Sequence, residues 1–477
     1  MPSLQSIEQE RLDPSFKGFP LDHPPFRIDQ VAEQGLNLLR GDLPFPCAIL
    51  RESALLHNSR WYGAFASELD IDFAPHGKTS MAPQIFAQQL RDGAWGITVG
   101  TVQQAWIALD AGVERVLMAN QIASAGEARR WLSMMERYPA ASMLSLVDSQ
   151  AQLAMLCEVV RERRDTHGTT SPAFDVLVEL GRAGGRTGCR SVDDALALAL
   201  EVRRRPEFRL CGVEAYEGLA ATGHSEQDQA MVNGWMQSLA ELISAIEEHQ
   251  AWEADEIIVS AGGSSVFDLV ASALTETRKR LKLSRSMRIV LRSGCYITHD
   301  DGTYRRLQLA MEARGLSRTI REGLALSCCE LPGHRGWLKG AKRSGLMPAM
   351  EVWACVQSRP EPGLVLVTMG RRDAGFDGGL PCPVLSCRVD LHSATPSTTV
   401  HSVSAPCGLL EPAPSHWKLL GMNDQHGYLQ VNEEDDLRVG DLIGFGISHP
   451  CTTFDKWRLF WVIDDQYNVC AAIRTYF

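Results

Sequence analysis

Between Cys47 and Tyr296, nine short apolar runs alternate with helical patterns, and this alternation confines the chain to a parallel sheet clothed by helices. The runs are CAIL (Cys47–Leu50), IDFA (Ile71–Ala74), WGITV (Trp95–Val99), RVLMA, SMLSLV, FDVLVEL, RLCGVEAY, EIIVSA and RIVLR. A parallel strand is buried on both faces, so it reads as a continuous apolar run rather than an alternating one. The helix after RLCGVEAY is the clearest of the set, with Val232, Trp235, Met236, Leu239, Leu242, Ile243 and Ile246 at helical spacing. A stretch of about 250 residues suits an eight-stranded (β/α)8 barrel, with one of the nine runs spurious. An open doubly wound sheet with this many units would be large.

After Tyr296 the pattern changes. Helical periodicity survives in YRRLQLAMEARG, and from Met350 onward short strands such as EVWACVQSR, GLVLVTMG, VLSCRVDL, DLIGFGI and RLFWVID lie between Pro and Gly turns. These predict a C-terminal all-β domain rich in hairpins. The expected division is residues 1–46 as an N-terminal segment packing on the β domain, 47–297 as the barrel, and 298–477 as the β domain. A chain of 477 residues is too long for a single core, which agrees with that division.

Composition excludes several classes of function. There are 47 Lys and Arg against 58 Asp and Glu, a net charge of −11, and this gives no basic surface for nucleic acid. No apolar run reaches the roughly 18 residues that span a bilayer. The N-terminal stretch lacks a charged region followed by an apolar one, so no signal peptide is expected. Thirteen cysteines without framework spacing predict buried thiols or a metal ligand in a reducing compartment, and hence the cytoplasm.

The candidate chemistry sits where barrel strands end. In IDFAPHGKTSMAP, Lys78 follows a strand and precedes a helix, at the mouth where barrel loops build active sites. A lysine there is placed for Schiff-base chemistry with an aldehyde, against the alternative of a snorkelling surface lysine. Late in the barrel, Gly262-Gly263-Ser264 follows EIIVSA and Gly294-Cys295-Tyr296 follows RIVLR. Glycine turns at helix starts expose N–H groups that cradle an anion, and barrels commonly hold phosphate after their seventh and eighth strands. An early lysine with a late phosphate cradle points to pyridoxal 5'-phosphate. Arg186, in the glycine-rich loop GRAGGRTGCR, is placed either to face the pyridine nitrogen of such a cofactor or simply to neutralise anions. Tyr216 ends the strand RLCGVEAY in the same layer. In the β domain, His449 and Cys451 lie two apart after a strand; a thiolate with an imidazole favours zinc over hard cations, although an isolated H-x-C is more often a coincidence.

Taken in order, APHGKT, GGRTG, EAYEG, SAGGS, LRSGCY and HPCTT resemble the fold-type III, alanine-racemase-like pyridoxal-phosphate enzymes, in particular the metal-dependent D-serine dehydratases and D-threonine aldolases. The resemblance implies that Lys78 condenses with the cofactor aldehyde, that Arg186 faces the pyridine nitrogen, and that Tyr216, Gly262, Gly263, Ser264, Gly294 and Tyr296 surround ring and phosphate. It places His449 and Cys451 on the metal ligands, and a cysteine at that second position is similar to the dehydratase branch. His76 is a second candidate acid or base. The implied reaction is elimination from a D-3-hydroxy amino acid to a keto acid and ammonia; the alternatives are retro-aldol cleavage to glycine and an aldehyde, a metal-free racemase, or a non-catalytic cofactor carrier. A homodimer is also implied. Ser80 and Met81 after Thr79, and Leu219 after Tyr216, depart from the family pattern and leave the substrate side chain open.

Overall fold

The structure is a computed structural model and describes residues 3–167, 172–314, 345–389 and 407–477. Gly315, Asp390 and Leu391, the ends of two expected elements, lie outside the described residues.

Eight parallel strands form the first sheet: β1 Asp72–Phe73, β2 Ile97–Val99, β3 Arg115–Gln121, β4 Ser142–Val147, β5 Phe174–Glu179, β6 Phe208–Glu214, β7 Glu256–Ala261 and β8 Ser286–Leu291. From β2 to β8 each pairs with its neighbour in sequence, and β8 pairs with β1. A parallel bridge between His76 and Thr98, with Thr98 N–H donating to Pro75 O at 2.9 Å, joins the β1 end to β2 and closes the ring. The barrel is therefore the predicted (β/α)8 architecture. Its inside is filled by Ala74, Leu117, Leu144, Leu146, Leu177, Cys211, Ile258 and Val290, while alternate residues such as Val116, Met118, Val176 and Val178 pack outward under the helices. The βα loops end on side-chain caps: Thr101, Ser124 and Ser191 accept from the N–H three residues on. The helix Ser225–Glu248 buries Val232, Met236, Leu239, Leu242, Ile243 and Ile246 along the stripe read from the sequence.

The second sheet has ten strands, almost all antiparallel, built on the long strand Met350–Glu361. One member corrects the sequence reading. Cys47–Arg51, expected to open the barrel, pairs antiparallel with Met350–Trp353 and parallel with Leu459–Ile463, so the barrel begins at Asp72 and not at Cys47. The physical reason is that an apolar run reports burial on both faces, not the identity of the neighbour. Ala48 and Leu50 face the main core, and Cys47 and Ile49 face a second cluster on the far side of the sheet. That second cluster also contains Ile7, Leu12, Phe16, Phe19 and Val31 from the N-terminal segment, against Trp353, Leu442 and Trp461.

Nine described cysteines are free, and Cys387 is disulfide-bonded. Among the described residues no helix is long and apolar enough to cross a membrane.

Candidate active site

The chain crosses from barrel to β domain just after β8, and that crossing makes the site. Asp301 N–H donates to Ile447 O at 2.9 Å and Ala349 N–H to Thr298 O at 2.8 Å, locking the segment after β8 against the loop that follows the strand Leu442–Gly446. That loop carries His449 and Cys451 over the barrel mouth. The result is a cavity of about 500 Å³, a size that suits a cofactor with a small substrate. His76, Lys78, Arg186, Tyr216, Gly263, Ser264, Gly294, His449 and Cys451 all line it.

Lys78 sits in the short 3-10 turn Gly77–Thr79 after β1, with its side chain open to the cavity. His76 precedes it, and its Nδ1 is buried with no hydrogen-bond partner. Burial, and then the charges of Lys78, Arg292 and Arg186, hold the His76 imidazole well below its ordinary pKa of 6.5, so it is neutral. Gly294 is required where it stands: a Cβ there would lie 2.5 Å from His76 O and 2.6 Å from Thr79 Oγ1. Its absence lets the ends of β1 and β8 approach each other beside the lysine.

Tyr216 and Arg186 form the opposite wall, with the guanidinium carbon 5.0 Å from the ring centroid. Burial, followed by the nearby Glu217, raises the Tyr216 phenol above its usual range, so it stays protonated. A Cβ at Gly263 would meet the Tyr216 ring at 2.8 Å, so the glycine is what allows the ring to close over the turn.

Two expected residues lie outside the cavity lining. Tyr296 is buried behind the mouth, stacked on Tyr62 at 4.2 Å between centroids and edge-on to Phe73. Gly262 sits one residue back in a left-handed conformation, φ +81. The N–H groups of Gly262 and Gly263 donate to the fully buried Glu217 carboxylate at 3.2 and 3.0 Å. The cradle expected from the sequence is thus filled on that side by an internal side chain, and Gly263, Ser264 and Gly294 are what faces the cavity.

Sequence reading gave no role to Arg292, Glu214, Thr79, Cys295 or Asp377. Arg292, at the end of β8, is 4 % exposed, donates to Ser260 Oγ at 2.7 Å and Ala215 O at 3.1 Å, and pairs with Glu214. Burial outweighs that pairing and pushes Glu214 up to about 8. Cys295 lies with its Sγ 3.5 Å from Cys451 Sγ, and Thr79 Oγ1 lies 3.5 Å from Cys451 Sγ. A hydrogen bond from Cys295, aided by Thr79 and the Lys78 charge, lowers the Cys451 thiol below its ordinary value. Asp377 accepts from His449 Nδ1 at 2.6 Å and from Thr452 Oγ1 at 2.5 Å. With Nδ1 so engaged, Nε2 is the ring nitrogen left for a ligand. Against a burial that raises it, the bonds from Thr452 and His449 hold Asp377 below the usual carboxylate value. Cys295, His449 and Cys451 each offer one donor atom within 4.8 Å of the others.

The residues fit both groups the sequence implied. An open lysine, two guanidiniums and a glycine-walled rim suit a phosphorylated aromatic aldehyde, and the buried, unpartnered His76 Nδ1 aims at the same region. A thiol pair with an oriented imidazole suits a soft or borderline metal ion.

Comparison with known proteins agrees with this architecture. Residues 349–463 match the family described as "Putative serine dehydratase domain". A D-threonine aldolase from an Arthrobacter species is 27% identical over 248 residues, which span 51% of this chain and 62% of that enzyme. The chain thus aligns with less than two thirds of that relative. Among solved structures, D-threonine aldolase from Filomicrobium marinum superposes with a TM-score of 0.67 at 20% identity, covering 92% of this chain and 97% of that one. D-threo-3-hydroxyaspartate dehydratase from Delftia sp. HT23 does so with a TM-score of 0.63 at 20% identity, covering 92% and 99%, and a dehydratase of that name is also solved in a metal-free form. The chain has the alanine-racemase-like barrel-and-sheet fold, and over the stretches matched it is similar to the serine dehydratase domain family and to D-threonine aldolase.

Proposed function

We propose that the protein is a pyridoxal-phosphate- and metal-dependent lyase that eliminates water from a D-3-hydroxy amino acid, releasing a 2-keto acid and ammonia. The observation that carries this reading is that the lysine and the sulfur cluster open into one cavity, with Thr79, the residue after Lys78, in contact with Cys451. Barrel residues are placed to act at Cα and β-domain residues at the β-oxygen of one small substrate.

When bound, pyridoxal phosphate supplies an electron sink for charge at Cα, and a divalent ion, with zinc favoured by the thiolates, supplies a Lewis acid for the departing hydroxyl. The chain's own residues do the rest. Lys78 would hold the cofactor through its aldehyde, and its amine is the group placed to accept the proton from Cα. Arg186 and Tyr216 would fix the ring position, and a guanidinium in that place would limit the charge the ring can take up. Neutral His76 holds the β1 turn against β2 through its backbone bridge to Thr98. His449 and Cys451 would hold the ion.

Retro-aldol cleavage is the second reading, favoured by the similarity to D-threonine aldolase. Incubation with D-serine and D-threonine separates the two. Keto acid and ammonia support elimination; glycine with an aldehyde would sink it. A cytoplasmic, homodimeric enzyme is part of the same proposal, and gel filtration of the cofactor-loaded protein tests the dimer.

A further inference from the structure

The H-x-C motif supplies two donors for an ion, and a two-ligand centre leaves two tetrahedral positions open. The fold brings a third donor from the other domain. Cys295 lies in the 3-10 turn Cys295–Ile297 after β8, is 5 % exposed, and is held in place by its N–H donating to Ser264 Oγ at 3.2 Å.

We propose that Cys295 is a protein ligand of the same metal ion as His449 and Cys451, so that the centre is a two-thiolate, one-imidazole site with a single open vertex. This rests on the metal-dependent reading above. Two sulfurs bonded to one tetrahedral zinc at about 2.3 Å lie about 3.8 Å apart. The Cys295 and Cys451 sulfurs lie 3.5 Å apart, within a few tenths of an ångström of that separation. All three donor atoms lie within 4.8 Å of one another, and among the described residues this is the one group of three or more His, Cys, Asp or Glu side chains that does so. Asp377 holds the His449 Nδ1, which leaves Nε2 as the ring nitrogen open to an ion.

Four consequences follow from a third ligand. Two thiolates with an imidazole select a borderline or soft ion over magnesium, calcium or manganese. Two anionic ligands neutralise a divalent ion, so the ion polarises a bound oxygen without adding net charge to a cavity that already holds Lys78, Arg186 and Arg292. With one vertex open, the substrate reaches the metal through one oxygen, the β-hydroxyl, and does not chelate it; the carboxylate is left to the guanidiniums. The ion also joins the barrel's β8 to the β domain.

Cobalt(II) is the probe, because sulfur-to-cobalt charge transfer in the near ultraviolet scales with the number of bound thiolates. The cofactor-loaded protein is stripped of metal, reduced, and titrated with Co(II) without air. One Co(II) per chain is expected, with a band that falls by about half in Cys295→Ser and in Cys451→Ser and disappears in the double variant. Loss of Cys295 is expected to weaken Co(II) binding on the order of 100-fold, the upper end of what loss of an outer partner costs. Cys295→Asp guards against misfolding: it is expected to keep one tight Co(II) with half the band, a carboxylate replacing the thiolate. A full band and unchanged affinity in Cys295→Ser would overturn the proposal, as would the absence of any thiolate band in the reduced wild type. A two-thiolate spectrum in a protein that turns over no D-3-hydroxy amino acid would sink the lyase reading and leave Cys295 as a ligand; a full band in an active Cys295→Ser enzyme would do the reverse.

Discussion

The barrel and the β domain are organised by opposite rules. Each barrel strand lies beside strands adjacent in the chain, and only the β8 and β1 pairing reaches across it. The central strand of the second sheet instead pairs Trp353 with Cys47 on one side and with Gly444 on the other, and the ring of Trp353 lies where a Cβ at Gly444 would fall, 2.8 Å away. A locally assembled domain thus carries the cofactor residues, and a globally assembled one carries the metal loop. The site exists only where they meet, so damage to either half should be separable: barrel substitutions act on chemistry, sheet substitutions on stability, and loop substitutions on metal retention.

The sharpest way to break that separation is Lys78→Ala. It should lower turnover by about 10³- to 10⁴-fold, since general acid–base and nucleophilic roles are lost together, while thermal stability stays close to wild type. The visible absorption of the cofactor-loaded protein and single-turnover kinetics check this; a variant that keeps both band and rate would remove the lysine from the mechanism.

Trp353→Ala probes the other half. The side chain is fully buried, edge-on to Tyr467 and bonded to Glu351 through Nε1 at 2.7 Å. Its truncation should cost about 3–5 kcal/mol by denaturant unfolding. Equal loss of the barrel and sheet transitions would show that the two domains unfold as one unit, and a lone early transition would show that the barrel survives without its partner.

At the junction, Asp377→Asn should weaken metal binding by about 10- to 100-fold, with cofactor binding unchanged, because the carboxylate only orients His449. Competition with a coloured chelator measures it. Equal losses of cofactor and metal would mean that the loop and the barrel mouth are not independent.

The smallest effect concerns pH. The folded His76 pKa is depressed, so below pH 6.5 the unfolded chain takes up a proton that the native state refuses. Stability conferred by neutral His76 is present above that value and is lost as pH falls, by at most about 1.4 kcal/mol per pH unit. Cofactor-free His76→Gln should therefore show a flatter acid limb than wild type in unfolding experiments between pH 5 and 7. Parallel limbs would place the sensitivity elsewhere.

The barrel and its mouth were legible because the relevant information is local. A strand end followed by a turn places Lys78, Arg186 and Tyr216 on one rim, whatever the rest of the chain does. Cys47–Arg51 was misplaced because its partners lie in a segment whose pairing no periodicity encodes. Cys295 and Asp377 escaped for a related reason: the first meets Cys451 across 156 positions and the second meets His449 across 72, and each sits in a plain glycine turn. The Gly262 and Gly263 amides were read as a phosphate cradle, but the group they hold in this structure is the Glu217 side chain, three residues from the strand end of β6 and invisible as an occupant in a one-dimensional pattern. Tyr296 was read from its neighbours in the motif, and the 3-10 turn carries it behind the rim.

The pairing of Cys47–Arg51 also orders events on the ribosome. At roughly 5 to 20 residues per second, about 15 to 60 seconds separate the synthesis of this strand from that of Met350–Glu361, its first partner. The intervening barrel is able to close in that interval, because its contacts are sequential, whereas an apolar strand with both edges unpaired must wait beside it. Nascent chains cut short before residue 350 lack the antiparallel partner of Cys47–Arg51, so early termination leaves exposed an apolar strand edge of the kind that drives aggregation.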